Sequence, residues 1–201
     1  MKWDYEFDVV VIGSGNGALT SAICSHDGGA KTLVIEKSTQ FGGTSATSGG
    51  GVWIPNNRYA KAENVDDSDQ DARDYINSVS PEGKIKDELV ETYLSEGPKM
   101  IDYLHENTQV KYRNLQHYPD YFPDNPGGKA GNRSMEPEPI KGTELGDDLK
   151  KLREQHPQTA FTMGPINMNF TQVEGQLLLG ALPGWKSLFA KLFTKYILDI
   201  P

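Results

Sequence analysis

The stretch Phe7-Asp8-Val9-Val10-Val11-Ile12-Gly13-Ser14-Gly15-Asn16-Gly17-Ala18 decides the fold. Phe7 to Ile12 is short and dense in Val and Ile, which predicts a fully buried parallel strand ended by Gly13. Gly13 to Ala18 then matches the pattern G-x-G-x-x-A. Gly13 permits a tight turn from strand to helix. Gly15 has no Cβ, so backbone can approach a pyrophosphate. Ala18 is small enough for a helix to lie close on the sheet. Ala18 to His26 reads as that helix, stopped by Gly28-Gly29. Lys31 to Glu36 reads as a second buried strand, which completes a βαβ unit with a right-handed crossover. Such a unit presents free N–H groups and the positive end of a helix dipole to a diphosphate.

Glu36 lies 23 residues after Gly13, at the end of the second strand, with Lys37 beside it. A carboxylate there accepts a hydrogen bond from a ribose 2′-hydroxyl and repels a 2′-phosphate. A second glycine cluster follows at once, Gly42-Gly43-Thr44-Ser45, and then Ser48-Gly49-Gly50-Gly51. The first offers another set of N–H groups and hydroxyls for a diphosphate. The second lets backbone approach a flavin ring. The pair favours FAD over NAD. The expected cofactor-binding residues are Gly13, Ser14, Gly15, Asn16, Gly17, Ala18, Glu36, Lys37, Gly42, Gly43, Thr44, Ser45, Ser48, Gly49, Gly50 and Gly51.

Composition narrows the function. The 201 residues carry a formal net charge of −8, which leaves no electrostatic footprint for nucleic acid. His26, His105, His117 and His156 lack metal-site spacing, so no metal is expected. Cys24 is the single cysteine, read as a small buried hydrophobe in the first helix. One cysteine fits a reducing compartment, and a cytoplasmic location is the expectation. The N-terminus does not read as a secretory signal.

Further along, Ser68 predicts a helix cap followed by acids in the first turn. Ile85 to Asn107 reads as helix interrupted at Gly97-Pro98, with Pro98 opening a second helix. Val110 to Leu115 suggests a strand, residues 116–146 a long Pro/Gly-rich loop, and Asp147 to Gln155 a short charged helix. Gln176 to Ile200 is apolar and in part basic. Core or substrate-channel packing is the favoured reading. Lys186, Lys191 and Lys195 leave a membrane surface as a second, less favoured one.

Gly42 to Pro55, ending Ser48-Gly49-Gly50-Gly51-Val52-Trp53-Ile54-Pro55, resembles the flavoprotein family of 3-ketosteroid Δ1-dehydrogenases and fumarate reductases. Gly97 to Leu104 and Tyr118-Pro119-Asp120-Tyr121-Phe122 are similar to the ketosteroid branch. The resemblance implies an α/β fold: a Rossmann-like FAD-binding parallel sheet at residues 1–60, a helical and loop-rich insertion at 61–146, and a helical segment at 147–201. Family members are more than twice as long, so the chain is expected to be an N-terminal portion.

The resemblance implies a reaction too. In the ketosteroid branch one tyrosine removes a proton from C2 of the steroid, a hydride leaves C1 for the flavin, and an external acceptor reoxidises the flavin. A further tyrosine supports the proton-abstracting one, and Tyr121 matches it; Tyr118 is its local competitor. The implied partners are an apolar, steroid-like small molecule and an external electron acceptor. A fumarate-reductase-like flavoprotein and a non-catalytic nucleotide-binding fragment are the alternatives.

Overall fold

The computed structural model describes residues 3–154, 162–163, 166–167 and 171–198. It is a mixed helix and strand structure that divides into two compact units, residues 1–50 with 140–170, and residues 51–139 with 171–201.

In the first unit, β1 (Val9–Ile12) pairs in parallel with β2 (Thr32–Ile35), register Val9 to Thr32 through Ile12 to Ile35. Between them runs α1 (Asn16–Asp27). Gly28 and Gly29 return N–H groups to the Cys24 and His26 carbonyls, so the helix stops where the sequence predicts. Two expectations fail here. The strands are not fully buried: Val10 is 51% exposed and Ile12 82%. The ladder has two strands, and side chains alternate between half-buried and exposed along β1. Cys24 is exposed rather than packed, because none of the side chains of α1 is fully buried. Residues 151–153 return to this unit, where Phe41 and Leu152 form a parallel bridge.

The second unit holds the buried core. β3 (Val52–Trp53), β5 (Ser134–Pro137) and β4 (Tyr112–Asn114) form an antiparallel sheet in that order. Around it lie α2 (Arg58–Ala62), α3 (Asp69–Val79) and α4 (Asp87–Asn107). Ser68 caps α3 by accepting the Asp71 N–H, as predicted, and Asn57, which the sequence reading did not single out, caps α2 by accepting the Tyr59 and Ala60 N–H groups. Ile54, Ile101, Leu104, Tyr112 and Met135 form one apolar cluster; Ala72, Val90 and Leu94 form another.

The expected break at Gly97-Pro98 is absent, and α4 runs 21 residues through Pro98. Pro inside a helix removes one hydrogen bond and costs about 3 kcal/mol. Burial of Val90, Leu94, Ile101 and Leu104 offsets that. Gly97 has a packing role instead: a Cβ there would stand 3.3 Å from Ile54 Cδ1.

The stretch 116–146 is not a single loop. It contains β5, then a 3₁₀ helix over Gly142–Lys151 kinked at Gly146. The charged helix expected from Asp147 is therefore the second half of that element, and its expected end at Gln155 lies outside the described residues. The apolar C-terminal segment forms α5 (Gln172–Leu179) and α6 (Trp185–Leu198), between short strands β6 (Thr162–Met163) and β7 (Ile166–Asn167) and the end of the chain. Thr171 and Glu174 make a capping box, so α5 starts four residues before the apolar stretch that opens at Gln176. No helix among the described residues is long and apolar enough to cross a membrane.

The segment 115–133 is held tightly against its neighbours. A Cβ at Gly131 would lie 2.0 Å from the Gln116 carbonyl oxygen. Gly131→Ala must therefore shift backbone, and it is expected to destabilise the second unit by at least ~1–3 kcal/mol. Thermal or urea unfolding checks this.

Candidate functional site

The sequence places a glycine turn between β1 and a helix, and the structure has that turn at the end of β1. Gly13 has φ +95°, a left-handed conformation that suits glycine, and its N–H donates to the Ile35 carbonyl at 2.7 Å. Gly15 stands at the N-cap of α1 in extended conformation, without a side-chain cap of its own. Asn16, Gly17 and Ala18 form the first helical turn, where N–H groups have no intrahelical acceptor. The Asn16 N–H donates to Ser45 Oγ at 3.0 Å. The first glycine cluster after β2 thus meets the helix N-terminus.

Two glycines of that cluster have the left-handed backbone that favours glycine. Gly42 has φ +105°, and a Cβ there would stand 2.7 Å from Ala46 Cβ. Gly43 has φ +55°, with the Gly15 backbone 3.5 Å from where its Cβ would lie. Thr44 and Ser45 carry a turn: the Thr44 carbonyl accepts from the Thr47 N–H and the Ser45 carbonyl from the Ser48 N–H and hydroxyl. Ser48 Oγ also accepts the Gly50 N–H at 3.1 Å, so its hydroxyl serves the loop itself. Gly49 is open where a Cβ would be. Gly51 falls in the other compact unit, against the β5 backbone.

Ser14 has a role that sequence spacing alone does not give. Its side chain is buried, its hydroxyl donates to Glu36 Oε2, and the same oxygen accepts the Gly42 N–H at 2.9 Å. One hydroxyl thus joins the first glycine turn, the acid at the end of β2 and the second glycine turn. Glu36 Oε1 accepts the Ser38 N–H at 2.9 Å. The Ser14 hydroxyl first, and the Ser38 N–H after it, hold the Glu36 carboxyl below the ordinary range. It is therefore an ionised acceptor at neutral pH, with lone pairs left for a hydroxyl. Lys37 follows Glu36 directly, and its side chain is exposed.

The second unit holds a separate feature. An apolar pocket of about 310 Å³ is lined by Trp53, Tyr75, Ile76, Val79, Tyr118, Pro119, Asp120, Tyr121, Phe122 and Ser134. Tyr121 is 83% exposed and Tyr118 half-buried, both on its wall. His117 is exposed. No group of metal-ligating side chains occurs among the described residues.

Residues 8–182 match the family described as FAD binding domain. The chain belongs to that family. This FAD binding domain is 36% identical to 3-oxosteroid 1-dehydrogenase of Mycolicibacterium smegmatis over 84% of the chain and 29% of the relative. It is 39% identical to 3-oxosteroid 1-dehydrogenase of Mycobacterium tuberculosis over 81% of the chain and 28% of the relative. The chain thus spans less than a third of the length of these relatives. Among solved structures it matches 3-ketosteroid Δ1-dehydrogenase from Sterolibacterium denitrificans in complex with 1,4-androstadiene-3,17-dione. That match has TM-score 0.87 and 38% identity, and covers 97% of this chain and 34% of the other.

The cofactor of this domain is FAD, and the residues present fit it. The first turn of α1 is uncapped by Gly15, and open space stands where a Gly17 Cβ would be. Glu36 is ionised at the end of β2. Ser14→Ala removes the largest cause of the Glu36 shift. The Glu36 midpoint, followed by carboxyl NMR, is expected to rise toward an ordinary glutamate in that variant. Because the folded carboxyl sits low, the stability it confers is present at neutral pH and is lost as pH falls through its midpoint. That loss is expected to come at higher pH in Ser14→Ala. Gly15→Val sets a branched side chain at the N-cap of α1; with a pyrophosphate expected to approach there, the variant is expected to purify without FAD while its far-UV spectrum is kept.

Proposed function

We propose that this chain is the FAD-binding part of a dehydrogenase that introduces a C=C bond beside the ketone of a 3-oxosteroid, with an external acceptor taking the electrons. The observation that carries it is Tyr121, a tyrosine displayed on the wall of an apolar pocket at the position the ketosteroid resemblance assigns. Similarity to two 3-oxosteroid 1-dehydrogenases supports this over a fumarate-reducing flavoprotein, and an apolar pocket suits a steroid better than a dicarboxylate.

Asn16, Gly17 and Ala18 and the Gly42-Gly43-Thr44-Ser45 turn would hold the diphosphate, and Glu36 would accept a ribose hydroxyl. FAD, when bound, takes up the hydride that leaves C1 of the substrate. The C2 proton goes to a tyrosine base, and the electron pair of that C–H bond forms the new C=C bond. A phenol titrates near 10, so a tyrosine base needs help at neutral pH. The Tyr121 hydroxyl supplies it by donating a hydrogen bond to the phenolate.

Tyr121→Phe in the complete enzyme removes one hydroxyl and little volume. With 4-androstene-3,17-dione and a dye acceptor, kcat is expected to fall on the order of 10²-fold, with flavin content and KM little changed. Tyr118→Phe is the comparison and is expected to be much milder. Near-wild-type kcat in both variants overturns the assignment of Tyr121.

A further inference from the structure

Behind Tyr121 lies the most buried charge cluster among the described residues. The Arg133 side chain is 2% exposed, and its partners Asp67 and Asp120 are 4% and 2% exposed. Arg133 grips Asp67 with a fork, Nη2 to Oδ1 at 2.7 Å and Nε to Oδ2 at 3.1 Å. Its other arm, Nη1, donates to Asp120 Oδ2 at 2.9 Å. The guanidinium also lies over the rings of Trp53 and Tyr75, 5.6 and 5.8 Å from their centroids.

Every contact of Asp120 pulls the chain next to Tyr121 into one place. Its carboxylate accepts Trp53 Nε1–H from β3 at 2.6 Å, the Lys129 N–H at 2.9 Å and Arg133. Its own N–H donates to the Lys129 carbonyl at 3.0 Å. On the other side of Tyr121, the Phe122 N–H donates to the Tyr75 hydroxyl at 3.3 Å. Tyr121 is thus an exposed side chain on a backbone fixed at both neighbours, and both anchors lead to Arg133.

We propose that Arg133 is a positioning residue for Tyr121, acting through the Asp120 carboxylate and the Tyr75 ring. The proposal rests on the catalytic reading of Tyr121. A buried ion cluster is poor evidence for stability, since desolvation offsets most of the attraction. Its effect here is geometric: a planar fork fixes direction, and an ammonium does not. Misplacement of a reacting group by about 1 Å can cost on the order of 10²-fold in rate.

The test uses the complete flavin-loaded enzyme with 4-androstene-3,17-dione. Arg133→Lys keeps the charge and loses the fork. Asp120→Asn keeps the shape and loses the charge. Each is expected to lower kcat about 10- to 100-fold, with KM and flavin content little changed. Each is then combined with Tyr121→Phe. If Arg133 acts through Tyr121, either variant costs little more once the hydroxyl is gone. Tyr75→Phe, which removes only the acceptor of the Phe122 N–H, serves the same cycle should the charged variants lose their fold. Losses that multiply with that of Tyr121→Phe, or a lowered Tm with kcat per flavin unchanged, overturn the proposal while the role of Tyr121 stands. A silent Tyr121→Phe removes the catalytic reading itself, and this one with it.

Discussion

Neutralisation of one buried guanidinium organises the second unit. Arg133 leaves water only because Asp67 and Asp120 surround it, and those carboxylates leave water only because amides satisfy their remaining lone pairs. Asp67 accepts the Asn56 and Ser68 N–H groups at 3.0 Å each. Asp120 accepts from Lys129 and Trp53. The requirement that buried charges be paired thereby fixes where β3, the start of α3, the loop after β4 and the start of β5 lie. The apolar clusters fill the space this frame leaves. Breaking such a cluster on one side costs about 3–5 kcal/mol, because an uncompensated charge remains behind.

The first unit follows a different logic. Its shape is set by backbone that only glycine adopts cheaply and by one hydroxyl that joins three segments. Ser14 does for the dinucleotide site what Arg133 does for the pocket wall. The difference is strength: a hydroxyl contributes direction and about 1 kcal/mol, whereas the ion cluster contributes a demand for complete pairing.

The two logics explain what could be read from the sequence. The strand, turn and helix at residues 9–27, and Glu36 at the end of β2, are local features. Each rests on steric rules that act over a few residues, and each appears where the pattern put it. The cap at Ser68 is local in the same way. What escaped is long-range. Arg133 meets a partner 66 residues away, and nothing in the spacing of one arginine announces that. β5 hides in a Pro/Gly-rich stretch because two strands far from it in sequence supply its pairing. Gly97-Pro98 reads as a helix break by propensity, and tertiary burial overrides it. The error on β1 had another source. A run of Val and Ile states what a strand can bury, and the two-stranded ladder of this unit leaves part of it uncovered.

That uncovered strand has a thermodynamic consequence. Among the described residues, the fully buried apolar side chains lie between Ile54 and Met135, none of them in the first unit. Where the described residues supply so few buried side chains, a bound ligand contributes a larger share of the stability. A ligand that binds the folded form alone adds RT ln(1 + [L]/Kd), about 2.7 kcal/mol when it stands at a hundred times its dissociation constant. Here that ligand is the flavin. Occupancy and foldedness of residues 1–50 are then linked in one equilibrium.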